Sequence, residues 1–175
     1  MGAQEKQYSP VEDANKMIKE LCIKYPDELW AVNPDIVTVL GVENKKRGKK
    51  NRILAKIIPV KGAEKAVFQL HHVPVRYIIE VYWNDWNDWK ERLKQWIIFH
   101  ELQHVSDTVG KTVRHDLEDF KMIIDAVGVN WSSRDDLPSL LGEEKVKFNL
   151  DLRPAVMEYK EENENKSDDD DDEIF

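Results

Sequence analysis

Two histidines four residues apart, His100 and His104, flank a glutamate in the stretch "WIIFHELQH" that runs from Trp96 to His104. On an α-helix, residues i and i+4 lie about 40° apart around the axis and one turn apart along it, so both imidazoles can face one ion. Glu101 sits about 100° around from His100, near enough to reach a water on that ion without ligating it. This is the arrangement a zinc hydrolase needs. The metal makes its water acidic, and the carboxylate takes the proton as the water attacks a carbonyl. Two histidines one turn apart also occur as ordinary packing, so the elements around them have to decide.

Zinc bound this way needs a third protein ligand, and His115 is the best placed candidate. If the helix runs on to Gly110, the chain rises about 9 Å beyond His104. The five residues that follow span at most about 16 Å, so His115 at the mouth of a following helix can return to the ion. Asp116, Glu118, Asp119 and Glu143 stand behind it as weaker candidates. One of Asp107, Asp116 or Asp119 can instead accept the free ring N–H of a ligand histidine.

The elements that must hold these residues are readable from periodicity. "SPVEDANKMIKELCIKYP" predicts a helix capped by Ser9, with Pro10 in its first position and Glu12 completing a capping box. Val11, Ala14, Ile18, Leu21 and Cys22 form its apolar stripe, and Pro26 ends it. "DIVTVLGVEN" and "NRILAKIIPV" predict two strands with "KKRGKK" between them and Gly48 at the turn. "VPVRYIIEVYW" predicts a third strand. From about Asp85 the apolar spacing changes to three and four, through Trp86, Trp89, Leu93, Trp96 and Ile97 to the two histidines, which predicts a metal helix of roughly five turns. "HDLEDFKMIIDAVG" predicts the next helix, with Leu117, Phe120, Ile123, Ile124 and Val127 on one face and Gly128 as its end. "VKFNLDL" predicts a last short strand. The expected fold class is α+β: a small, mostly antiparallel sheet with an N-terminal helix, the metal helix and a following helix that His115 and Asp116 open.

Composition bounds what this fold can be used for. At 175 residues, 41% of them apolar, the chain supports one domain, expected over residues 1–155, and a tail over 156–175. The net charge is −8, and the ten acidic residues and two lysines from Val156 to Phe175 account for all of it. The body is therefore near neutral and the tail acidic, a composition that predicts disorder. A single cysteine, Cys22, excludes a disulfide framework and a cysteine zinc ribbon, so any metal site is built from His, Asp and Glu. The apolar runs are far too short to span a membrane. The polar start "MGAQEKQYSP" has no hydrophobic signal segment, and Lys6 stands where a myristoylation signal needs Ser or Thr. A cytoplasmic protein with no membrane partner is the expectation.

Three motifs together carry a resemblance. "IIFHELQHV", "RHDLEDF" and "VGVNW" resemble the putative phage metallopeptidase family, in which His-Glu-x-x-His is followed by His-Asp-x-x-Asp-Phe. More distantly the chain is similar to the SprT-like zinc proteases, although those have Gly where Asp116 stands here. The resemblance spans about residues 77–131. It implies a zincin-like fold, a zinc ion on His100, His104 and His115, Glu101 as general base, and a peptide or protein substrate. The spacing differs from the metzincin pattern, because residue 107 is Asp and residue 110 is Gly.

Other features have bland readings beside functional ones. The tryptophans between Trp83 and Trp96 suit a core more than a substrate cleft. "VRYIIEVYW" suits an edge that pairs with a peptide or a central structural strand. His71 and His72 read as a solvated pair. "KKRGKK" with Arg52 reads as a charged hairpin tip, and as a possible nucleic acid contact. The tail reads as solvating, or as a dock for a basic partner. The rival functions are thus a binding protein pinned by a structural zinc closed with a fourth protein ligand, and a nucleic-acid-associated protein using the basic hairpin.

Overall fold

Runs of β-branched residues form the sheet. The computed structural model describes residues 7–43, 54–108, 111–115 and 119–153. The strands are β1 Tyr8–Pro10, β2 Val37–Val42, β3 Ala55–Pro59 and β4 Tyr77–Tyr82. They lie in the order β1-β2-β4-β3, with β2 and β4 parallel and the two outer pairings antiparallel. The fold class is mixed α+β, as expected. The strand over Tyr77–Tyr82 is central, so its apolar character reflects burial on both flanks rather than a peptide-binding edge. The strands on either side of "KKRGKK" are not neighbours; each pairs with β4, so they do not form a hairpin. The basic stretch itself, Arg52, Gly110, Asp116, Leu117, Glu118 and the acidic tail lie outside the described residues.

The first helix, α1, runs Glu12–Lys24 and buries Ala14, Met17, Ile18 and Leu21 against the sheet and the core. Its start differs from the expectation. Ser9 and Pro10 pair with β2 as part of β1, and Val11 occupies the cap position without a side-chain hydrogen bond. The antiparallel pairing satisfies Ser9 and Pro10 better than a cap would, and Pro sits on an edge strand, where its missing N–H costs no ladder bond. A short helix α2, Gly62–Leu70, stands where the sequence pattern marks no element; its residues are almost all exposed. His71 and His72, just after it, are exposed as expected.

The long predicted metal helix is two helices, α3 Trp83–Asp88 and α4 Glu91–Gln103, with Trp89 and Lys90 extended between them. Four of the six α3 residues are Asn or Asp, which favour caps and turns over helix interiors. The tryptophans are core: Trp86 and Trp96 are fully buried, and Trp83 and Trp89 pack against the cluster. Trp83 lies flat over β2 at Gly41, where any Cβ would collide with its indole. From Gln95 to Phe99 every α4 residue is buried, and Glu101 to Gln103 are buried again. A helix covered on nearly every side is a core element. Its rear is held by hydrogen bonds: Gln95 Oε1 accepts from Leu140 N at 2.9 Å and Leu141 N at 3.2 Å, and Trp96 Nε1 donates to Pro138 O at 2.8 Å.

The last helix, α5, spans only Lys121–Val127, ending at Gly128 with φ +81°. It does not begin at His115, because the Asp119 side chain turns back to accept from Phe120 N instead of extending a helical turn. "VKFNLDL" forms no strand. Phe148 stacks on Phe99 with centroids 4.9 Å apart, and Leu150–Leu152 is a single 3₁₀ turn. That segment is held by ring packing, which leaves no period-2 ladder to form. Among the described residues no helix is long and apolar enough to cross a membrane.

Candidate metal centre

Helix α4 carries His100, and its C-cap is His104; both are only half-buried, at the end of a helix whose residues from Gln95 to Gln103 are otherwise buried. The chain then reverses at once. The helix stops at Gln103, well before Gly110, with His104 as its C-cap. Val105 bridges to Thr112 in antiparallel fashion, and Val113 N donates to His104 O at 2.8 Å. The Tyr77 hydroxyl, buried at the head of β4, donates to Lys111 O at 2.9 Å. These bonds lay residues 111–115 alongside the end of α4 and carry His115 back to the two helix histidines. The third candidate ligand thus returns, but by a bridged turn rather than from a helix mouth.

The nitrogens of His100, His104 and His115 that face one another all lie within 4.8 Å. His115 Nε2 is 3.0 Å from His100 Nε2. Three nitrogens held tetrahedrally at the usual zinc distance of about 2.0–2.1 Å would be about 3.3 Å apart, so the spacing fits a shared ion. The outward nitrogens agree. His100 Nδ1 lies 3.0 Å from Asp119 Oδ1, and His104 Nδ1 lies 2.6 Å from Val113 O. A backbone carbonyl only accepts, so His104 Nδ1 carries the proton and Nε2 is left with its lone pair toward the centre. Burial, with the neighbouring histidines assisting, pushes His104 down to about 4, which keeps the ring neutral and able to ligate.

Of the aspartates Asp107 and Asp119, it is Asp119 that faces His100. Besides His100, its carboxylate takes Phe120 N at 2.7 Å and Trp131 Nε1 at 2.5 Å. Burial alone would raise its pKa, but these donors and His100 outweigh it and hold it below the usual carboxylate range. Asp107 is exposed and bonds to its neighbours Ser106 and Thr108 instead. Glu143 is exposed and lies outside the histidine group. Asp116 and Glu118 lie outside the described residues. Among those described, no fourth His, Cys, Asp or Glu joins the three histidines.

Glu101 is 7% exposed and lines the same cavity. Burial raises its pKa, against the opposing pull of His100 and of the Ile57 backbone N–H that bonds to it. Ile57 lies on β3, whose other flank pairs with β4, so the glutamate meets the flank of β3 that pairs with no strand among the described residues. The cavity has a volume of about 660 Å³ and runs between Leu54 with the β3 residues Ala55 to Ile57, and the returning segment, from Thr112 to His115. Two aromatic residues complete the setting without being legible as site residues from spacing. Phe120 places its ring centroid 4.7–5.3 Å from all three imidazoles, and Trp131 lies 5.7 Å from His100. In the sequence Phe120 reads as one residue of an apolar helix face and as the last residue of the His-Asp-x-x-Asp-Phe motif.

The model of the family described as "Putative phage metallopeptidase" matches residues 6–143. The chain belongs to that family. Membership in the phage metallopeptidase family implies a metal ion and a peptidase class of hydrolase, and the three convergent histidines are residues that could bind the ion. Searches of curated proteins and of solved structures found no match.

Proposed function

We propose that this phage metallopeptidase family member is a zinc-dependent peptidase with a zincin-like fold, its catalytic unit lying within residues 1–155. The carrying observation is the convergence of three histidine nitrogens within 4.8 Å beside a buried glutamate, at the floor of an open cavity. His100, His104 and His115 hold the zinc, and no further described side chain closes its coordination. An ion with an open position supplies an acidified water and a Lewis acid for the substrate carbonyl.

The chain's own residues do the rest. Glu101 accepts the proton of the attacking water and delivers it to the leaving amine. Its raised proton affinity suits a group that must first take and then release a proton. Ile57 N–H holds the carboxylate at the sheet edge, and Asp119 fixes the ring of His100. Among the described residues no strand pairs with the outer flank of β3, and the backbone groups there that Glu101 does not occupy can pair with an extended peptide, which favours a peptide substrate.

The structural-zinc reading needs a fourth protein ligand and has no use for a buried carboxylate here. The nucleic-acid reading rested on a basic hairpin, and the flanking strands do not form one. Glu101→Gln tests the proposal. The variant should keep its zinc and its melting temperature, while peptide hydrolysis falls by roughly 10²–10⁴-fold. Chelation should abolish hydrolysis by the unaltered protein, and zinc should restore it. Undiminished hydrolysis in Glu101→Gln overturns the role of the base.

A further inference from the structure

The charged groups that line the cavity are nearly all committed to partners. His100 faces Asp119, and Asp119 also takes Phe120 N and Trp131 Nε1. His104 is bonded to Val113 O, and Glu101 to Ile57 N–H. Lys56 reaches away to Glu80, 2.9 Å off. Arg114 is different. It lines the cavity, is exposed, and among the described residues has no hydrogen-bond or ion-pair partner. Its backbone is nonetheless fixed. On one side Val113 exchanges two hydrogen bonds with His104, and on the other His115 stands at the metal centre.

Resting on the peptidase reading of the same site, we propose that Arg114 is a specificity-determining residue that selects a carboxylate on the substrate. Guanidinium and carboxylate match as a two-pronged fork, and the pair is stronger than a neutral hydrogen bond. The remaining walls, Leu54, Ala55, Ile57, Ile97, Val113 and Trp131, offer contact with apolar groups and no competing charge. Arg114 is adjacent in sequence to a metal ligand. At about 3.5 Å of extended peptide per residue, its guanidinium reaches a carboxylate within two residues or so of the bond cut. That carboxylate belongs to an acidic side chain or to the peptide's free C-terminus.

The test uses zinc-loaded full-length protein and matched peptides that differ by Glu or Gln at each position around the cut, each with a free or amidated C-terminus. The unaltered protein should favour the carboxylate-bearing peptide by roughly ten-fold in kcat/KM at one position. Arg114→Ala should erase that preference, Arg114→Lys should keep part of it, and Arg114→Glu should reverse it. A Glu-over-Gln preference assigns the side chain; a free-over-amidated preference assigns the terminus. Equal treatment of all peptides by the unaltered protein, or an undiminished preference in Arg114→Ala, overturns the proposal. Binding of the same peptides to zinc-loaded Glu101→Gln protein, with and without Arg114→Ala, gives a readout that needs no hydrolysis. Charge-selective binding that Arg114→Ala removes, with no peptide cut by the unaltered protein, sinks the peptidase reading and upholds the role of Arg114. Cleavage without charge preference does the opposite.

Discussion

His100 stands on, and His104 caps, a helix buried on nearly every side from Gln95 on, while His115 stands on extended chain that reaches the same point only through tertiary bonds. At the end of α4 the helix backbone sets His100 and its C-cap residue His104 about one turn apart, and His104 is bonded in addition to Val113 of the returning segment. On the returning segment the position depends on single contacts: the Val105–Thr112 bridge, Val113 N to His104 O, and the Tyr77 hydroxyl on Lys111 O. The three-histidine group is therefore assembled from a half that the helix sets out, His100 and its C-cap His104, and a docked half. The two halves should respond differently when a ligand is removed. His100→Ala or His104→Ala dismantles the preformed pair, and zinc content after purification should fall to background. His115→Ala leaves the helix pair facing one ion, so binding should weaken sharply yet remain measurable by competition with a chelator. Equal affinity in His115→Ala and unaltered protein would show that His115 is not a ligand.

The outer partners sharpen the same contrast. Asp119 lies beyond the returning segment and places its Oδ1 3.0 Å from Nδ1 of His100 on α4. Asp119→Ala should lower zinc affinity by about 10–100-fold, the usual effect of losing such a partner. Trp131→Phe keeps the ring and removes only the Nε1 donor to Asp119, so a smaller loss in the same direction is expected. A loss in Trp131→Phe larger than in Asp119→Ala would mean that the indole acts on His100 directly, through the ring contact 5.7 Å away.

The preformed half is also the half that spacing reveals. His100, Glu101 and His104 follow from a period of 3.6, and the strand before them follows from β-branched alternation. The docked half obeys no period. His115 is within reach of His104 by chain length alone, but the bridge at Val105 and Thr112 and the hydroxyl of Tyr77 arise from residues that look like plain strand and loop. The preference for Asp119 over Asp107 depends on Phe120 N and Trp131 Nε1; both residues lie in the stretches that carry the family resemblance, but nothing in those stretches says that they bond to Asp119. The same limit explains the misplaced helix boundaries. An apolar period runs through Trp89 and through Phe120 without revealing that Asn, Asp and a turned-back carboxylate break the backbone there. The sheet order fails for a related reason: adjacency in sequence suggested a hairpin, while β4 inserts between β2 and β3.

Tyr77→Phe probes the docked half at a distance from the metal. Tyr77 is 1% exposed, so its ring packing should survive, and the lost hydroxyl leaves Lys111 O short of one donor. The expected cost is about 1 kcal/mol of stability. Zinc affinity should drop only several-fold, because the bridge and the Val113 bonds persist. Measured together, chelator competition and thermal unfolding should show both changes. A stability loss with no change in affinity would mean that the returning segment is already fixed without Tyr77.

The smallest effect on the metal is expected from a change on the rear of α4. Gln95 is buried, and its Oε1 accepts from Ser139 Oγ, Leu140 N and Leu141 N at 2.9–3.2 Å. Gln95→Leu keeps much of the volume but leaves two backbone N–H groups without an acceptor, one of them on fully buried Leu140. An unsatisfied buried group costs about 1–3 kcal/mol, so the melting temperature should fall by several degrees. Yet the histidines lie more than one turn further along α4, and their relative geometry is set by the helix itself. Zinc affinity, measured well below the new melting temperature, should therefore match that of the unaltered protein. If affinity falls in step with stability, α4 is not a preformed half at all: its pair of histidines would then depend on docking as much as His115 does.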